Sequence, residues 1–234
     1  MNMKNSTHLE LNANHLKIIA AITMFIDHLG YFLFPSITLF RVIGRVSYPI
    51  FAFFIAEGCI HTNNMKKYFG RISILGSICM VVTYLAEGIL YGNILITFSF
   101  SILIITIMEK ILVYEKMITD LLLNILLLSI CIVFAILTFQ YIEIDYGVLG
   151  IIVPVLCWIF LRINKKMGLL ALAVGLILLS IVMGGYQIYC MLSLVLLQVY
   201  NGRRGQVSLS RFFYLFYPLH IAAIEAVAMI MDRV

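Results

Sequence analysis

Charge is what this chain has least of. Only 12% of its 234 residues are Asp, Glu, Lys or Arg, about half the usual share for a soluble domain. Hydrophobic residues make up 63%, and mean hydropathy is +1.08. No soluble core needs that much apolar surface, so the composition excludes a soluble globular protein. It points to a polytopic membrane protein whose solvent is the lipid bilayer. The polar links between apolar runs are all short, which leaves no room for a soluble domain.

Paired cysteines are missing too. Cys59, Cys79, Cys131, Cys157 and Cys190 lie singly in or beside apolar runs, with no C-x-x-C. That predicts neither a disulfide framework nor a zinc site, and no metal is expected. The net charge of +5 is spread over short loops, which argues against a nucleic-acid partner. No internal repeat is evident, which weighs against an inverted-repeat transporter. The first apolar run follows Lys4 and Lys17 as a signal peptide would. It carries Asp27-His28 and lacks a small-residue cleavage site, so it is expected to stay as a span.

What is present is a series of apolar runs, read as an all-α transmembrane helix bundle with about nine spans (range 8–10) in a single domain over 1–234. The predicted spans are approximately 18–34, 46–60, 72–90, 93–108, 121–139, 148–161, 168–183, 187–199 and 212–230. Several fall short of the roughly 20 residues of a perpendicular crossing. Spans such as 46–60 and 148–161 are therefore expected to be tilted, re-entrant or extended into their flanks. The basic residues are unevenly placed. Lys4, Lys17, Lys66, Lys67, Arg71, Lys110, Lys116, Arg162, Lys165, Lys166, Arg203, Arg204 and Arg211 fall in one set of segments. Only Arg41, Arg45 and Arg233 fall in the other. Thirteen against three puts the N-terminus in the cytoplasm and the C-terminus outside, in the cell membrane. Arg41 and Arg45 are exceptions to that count, and four residues apart they share a helix face. They are read as lining a site.

Asp27 and His28 stand in the middle of the first run, where ionisable groups cost roughly 3 kcal/mol each. Lys17 lies eleven residues before His28, on the same face and roughly 16 Å away along the axis. Lys17 reads equally as a snorkelling lysine or as a ligand-binding cation. His28 reads as functional, with helix-to-helix hydrogen bonding as the plainer alternative. Neighbours on a helix point about 100° apart, so Asp27 and His28 are not expected to pair with each other. Asp27 and Arg45 are expected to tune His28 from nearby.

In the second run, Pro49 is expected to kink the span. Glu57 and His61, four apart, are too few for a metal site and are read as a hydrogen-bonded pair at a cavity mouth. Lys66, Lys67 and Arg71 form a basic loop, read either as topogenic charge or as a platform for the phosphates of a cosubstrate. In the last run, His220 and Glu225 fall at membrane depth after Tyr214, Tyr217 and Pro218. Tyr217, His220 and Glu225 are cavity candidates. Phe212 and Phe213 are read as an interface belt.

The segments LKIIAAITMFIDHLGYFLFP, RVIGRVSYPIFAFFIAEGCIHTNNMKKYFGRI and FYLFYPLHI resemble the TraX family, membrane proteins linked to N-terminal acetylation of conjugative pilin. The likeness runs over most of the chain, with 95–200 matching only in hydropathy. That family is similar in turn to the acyltransferase-3 group of membrane acyl-CoA-dependent transferases. In that group the first span carries Arg-x10-His, and the cation and histidine are implicated in acyl transfer. Lys17 and His28 match that spacing. The cation here is Lys, so a bidentate phosphate contact does not carry over. Lys66 to Arg71 resembles the basic cytoplasmic end that follows an early span there.

The resemblance implies an acetyltransferase with His28 and Asp27 at the reaction centre. Acetyl-CoA would be the cosubstrate, held by Lys17, Lys66, Lys67 and Arg71. The acceptor would be reached from outside, and a pilin N-terminus, another exported peptide and a glycan hydroxyl are all compatible with the sequence. Two other readings stand beside it. One is a small proton-coupled transporter using Asp27, His28, Glu57, His220 and Glu225 as a relay. The other is a non-catalytic scaffold of a conjugation or secretion assembly.

Overall fold

The computed structural model describes residues 10–113, 126, 143–207 and 209–231. The expected span 121–139 lies outside the described residues, as do Lys4, Lys116 and Arg233. The order of elements is α1 (Ala13–Phe32), α2 (Thr38–Gly44), α3 (Ser47–His61), α4 (Met65–Glu87), β1 (Tyr91–Gly92), α5 (Ile94–Val113), β2 (Glu143–Ile144), α6 (Gly147–Leu161) and α7 (Lys165–Met183). A 3-10 helix (Gly185–Met191), α8 (Leu192–Gln198) and α9 (Ser210–Met231) complete it.

The molecule is an all-α membrane protein. Against nine predicted spans, four helical stretches among the described residues are long and apolar enough to cross a bilayer: Thr38–His61, Met65–Glu87, Lys165–Met183 and Phe212–Met231. Two shorter apolar helical stretches, Gly147–Leu161 and Gly185–Gln198, accompany them. The short span 46–60 is resolved by extension, because α2 and α3 together run from Thr38. Pro49 does not kink this stretch in its middle. The break falls at Arg45–Val46, before Ser47 opens α3. A proline ring clashes with the carbonyl four residues back, and for Pro49 that carbonyl belongs to Arg45. The proline itself sits in the first turn of α3, where its missing N–H costs nothing.

Three helices that start at one end of the bundle are capped alike. The side chains of Asn12, Asn64 and Asn164 accept hydrogen bonds from the backbone N–H of His15 (3.0 Å), Lys67 (2.9 Å) and Met167 (2.9 Å). Each cap satisfies a donor the helix leaves free. The cap at Asn64 also corrects the reading of Lys66, Lys67 and Arg71. They stand in the first two turns of α4, not in a loop.

Burial runs opposite to a soluble fold's. The centre is α3, whose Ile50, Ala52, Phe53, Ala56 and Cys59 are essentially inaccessible. Around it α1, α5 and α6 contribute Leu16, Phe98, Ile102 and Trp158. Outer helices expose large apolar side chains, including Ile74, Val81 and Leu85 on α4 and Ile181 and Val182 on α7. In lipid such exposure carries no penalty, because the tails are as apolar as the side chains.

Glycines let α1 and α2 come close. A Cβ on Gly30 would sit 2.6 Å from Phe40 Cβ, and one on Gly44 would sit 2.1 Å from an Asp27 oxygen. A two-residue parallel pairing, Tyr91 with Glu143 and Gly92 with Ile144, pins the start of α5 beside the start of α6. It holds the turn Asp145-Tyr146 at the end of the bundle where α2 meets α3.

Candidate functional site

Two adjoining cavities run along the Lys17–His28 face of α1. The larger, about 190 Å³, is lined by Lys17, Ala21 and Met24 of α1, with side chains from α3, α4, α5 and α9. The smaller, about 40 Å³, is lined by Met24, Asp27, His28, Ser47, Tyr48, Asp145 and Tyr146 among others. Met24, Phe51, Ile94 and Tyr217 line both, so the two abut across shared side chains, two compartments of one passage. The 3.6-residue repeat places Lys17, Ala21, Met24 and His28 in a stripe, and that stripe is one wall of it.

The wall at the His28 end is ionic. Asp27 Oδ2 accepts from Arg41 Nη1 at 2.8 Å, and Asp27 Oδ1 accepts from Arg45 Nη2 at 2.8 Å. Arg41 and Arg45 come from one face of α2 and its C-cap. Gly44 between them leaves the space that Asp27 occupies. Arg45 also donates to Gln187 Oε1 at 3.2 Å and to Tyr146 Oη at 3.4 Å. Two cations are thus held by one aspartate, with Asp145 close enough to act on Arg45. Asp145 accepts from the Tyr91 hydroxyl at 3.3 Å, and burial pushes its carboxyl up to about 6, with Arg45 pulling the other way. At Tyr146 burial pushes the phenol up and Arg45 opposes it.

His28 does not join Asp27, as their divergence on the helix requires. Its Nδ1 meets His220 Nε2 at 2.8 Å, with the two rings near parallel. His220 Nδ1 in turn lies 2.8 Å from the Phe216 carbonyl. A carbonyl oxygen only accepts, so His220 carries its proton on Nδ1. In the neutral ring Nε2 is then an acceptor, and His28 must donate from Nδ1. The chain of bonds leaves the lone pair of His28 on Nε2, away from His220. This fixes His28 as a base in one tautomer and one orientation.

The other candidates divide. At the opposite mouth, Lys17 Nζ stands 4.6 Å over the Phe54 ring, with Glu57 and Arg204 acting on its charge. Glu57 is not bonded to His61. It accepts from the Tyr200 hydroxyl at 3.1 Å, because the loop after α8 is tied to the start of α1 through Leu11 and Tyr200 and lays that phenol across α3. His61 is exposed. Lys66, Lys67 and Arg71 are exposed on α4, on the helix that presents Tyr68 and Ile72 to the larger cavity. Tyr217 lines both cavities. Phe213, read as part of an interface belt, lines the larger one. Glu225 lies outside the passage. It is buried toward α4, where Oε1 accepts from Thr83 Oγ1 at 3.0 Å, since five residues after His220 its side chain points elsewhere on α9. Among the described residues, no group of three His, Cys, Asp or Glu is arranged to hold a metal ion.

Sequence reasoning missed Asp145, Tyr146 and Tyr48. The two former sit in a short turn between two predicted spans. The one local signal was a short polar break, Glu143-x-Asp145, immediately before an apolar run.

An apolar helix bundle that encloses a largely apolar cavity and, beside it, a smaller polar and ionic one defines a polytopic membrane protein with an intramembrane site. Its sequence matches the TraX protein family over residues 12–228. The chain belongs to the TraX family. It is similar to a probable fimbrial assembly protein FimC, serogroup H1, of Dichelobacter nodosus, with 28% identity over 97% of this chain and 100% of that protein. It is also similar to an uncharacterized protein, RP591, of Rickettsia prowazekii (strain Madrid E), with 41% identity over 35% of this chain and 32% of that one. No solved structure matches it.

Proposed function

We propose that this protein is an integral-membrane acetyltransferase with nine spans and a cytoplasmic N-terminus. It moves an acetyl group from cytoplasmic acetyl-CoA to an acceptor reached from the other side. The family and the fimbrial assembly relative favour the N-terminal amine of a pilin or similar exported peptide as that acceptor. The observation that carries the reading is the pair of abutting cavities: a lysine with no salt bridge among the described residues lining the larger, largely apolar one, and a histidine of fixed tautomer lining the smaller. Acetyl-CoA is made in the cytoplasm, and its phosphates need cations on that face, which Lys17 and the Lys66, Lys67 and Arg71 cluster supply. The roughly 16 Å between Lys17 and His28 is comparable to an extended pantetheine arm. The thioester would reach His28 while the nucleotide stays at the basic mouth. His28 Nε2 would take the proton of the acceptor. Asp27, Arg41 and Arg45 would hold α1 against α2 and set the field at the reaction end.

Mass spectrometry of exported proteins, in cells with and without this chain, tests it. Acetylated N-termini that depend on the chain are the expected result. Identical spectra, together with no release of thiol from acetyl-CoA by the purified protein, would reject it.

A further inference from the structure

Acyl transfer needs a base, and also a donor for the negative charge that builds on the carbonyl oxygen. His28 cannot be both. We propose that the Tyr146 hydroxyl is that donor. The inference rests on the acetyltransferase reading and adds a second catalytic residue to it.

Four observations meet at Tyr146. Among the described residues it is the one non-glycine with a positive φ, 60°, a conformation that costs energy for a bulky side chain and that clusters at functional sites. Contacts from distant parts of the chain surround the turn. Thr97 Oγ1 bonds the Asp145 carbonyl at 2.8 Å, Tyr48 Oη bonds the Gly150 carbonyl at 3.0 Å, and Tyr48 stacks on the Tyr146 ring at 4.3 Å. Second, Tyr146 lines the small cavity together with His28. At about 40 Å³ that space is more than the roughly 10–15 Å³ of this kind that one water needs. A small acyl group placed there would lie among walls that include both His28 and Tyr146. Third, Arg45 donates to the Tyr146 oxygen, which leaves the O–H proton to be given elsewhere. A cation bonded to a phenol makes it a stronger donor. Fourth, the competing hydroxyls are less suited. Tyr48 spends its O–H on Gly150. Ser47 and Tyr217 also line the cavity, but neither has a bonded cation among the described residues.

The step balances as follows. The acceptor nitrogen bonds to the thioester carbon, and its proton passes to His28 Nε2. The carbonyl π pair moves onto oxygen, where the Tyr146 O–H and the Arg45 charge behind it stabilise the anion. When the pair returns, the carbon–sulfur bond breaks and the sulfur takes the proton from His28. Amide and free thiol are the products.

The test uses the full chain in lipid nanodiscs, with acetyl-CoA and a short peptide bearing a free N-terminal amine, reading thiol release and peptide mass. Tyr146→Phe keeps the ring stack and removes only the hydroxyl. It should lower kcat by about 100-fold or more, the usual loss for one oxyanion donor. KM for acetyl-CoA and the melting temperature should stay at wild-type values, which a merely structural role would move. Ser47→Ala should retain most of the activity. Full activity in Tyr146→Phe, with His28→Ala inactive, would overturn the Tyr146 assignment and leave the acetyltransferase standing. Undiminished turnover in both variants, or none in the wild type, would overturn both.

Discussion

His220 acts on chemistry it does not touch. Buried to 5% exposure between the rings of His28 and Phe216, it decides which nitrogen of His28 is basic. His220→Phe keeps a flat ring in the stack and removes the acceptor, so His28 can present either nitrogen. Turnover should fall at least about 10-fold with acetyl-CoA affinity unchanged, measured by kinetics and calorimetry on one preparation. Equal turnover would mean the pair only joins α1 to α9. Asp27→Asn poses a different question. It leaves Arg41 and Arg45 without their countercharge, and breaking a buried pair from one side costs about 3 kcal/mol or more. That variant should melt well below wild type or fail to accumulate. Asp145 offers a pH readout. Its folded carboxyl, near 6, holds a proton more tightly than an unfolded one near 3.9. Its contribution to stability should therefore be largest below about pH 4, decline as pH rises to about 6, and level off above, by at most roughly 2–3 kcal/mol. Asp145→Asn should flatten that slope in melting curves taken from pH 4 to 7, and an unchanged slope would assign it elsewhere.

At the scale of elements, the seam between α1 and α2 is the site's foundation. Gly44→Ala would put a methyl into the Asp27 carboxylate. Overpacking of this kind costs typically 1–3 kcal/mol, and here it would also part Asp27 from both arginines. Loss of activity together with a lowered melting temperature is expected, and a fully active, stable Gly44→Ala would show that the helices can separate without consequence. This seam was half legible in the sequence. The spacing of Arg41 and Arg45 put them on one face, and the membrane depth of Asp27 demanded a partner. Helical periodicity says which residues share a face but not which helix lies opposite. That is why His220 was marked without His28 as its partner, and why Glu225, on the same helix, was placed in the passage. Tyr200 defeated the Glu57–His61 pairing for the same reason: it arrives from 143 residues away. Tyr146 left no mark beyond the polar break before it, because the side chains that contact its turn, Thr97 and Tyr48, are far off in sequence.

At the scale of the molecule, composition alone defined an α-helical membrane protein, and the uneven basic residues predict its orientation. A reporter fused after Val234 should read as extracytoplasmic and one within Asn201–Gly205 as cytoplasmic, and the reverse pattern would turn the passage around and put Lys17 on the wrong side for acetyl-CoA. The account depends most on one side chain. His28→Ala should insert and express normally, because alanine is cheaper in lipid than histidine, and should bind acetyl-CoA as wild type does. Expression, acetyl-CoA binding and acetyl transfer measured on the same purified preparation test this most directly. Intact binding with transfer reduced on the order of 100-fold or more is the expected result; a well-expressed His28→Ala protein with full transfer would contradict a role for His28 as the base.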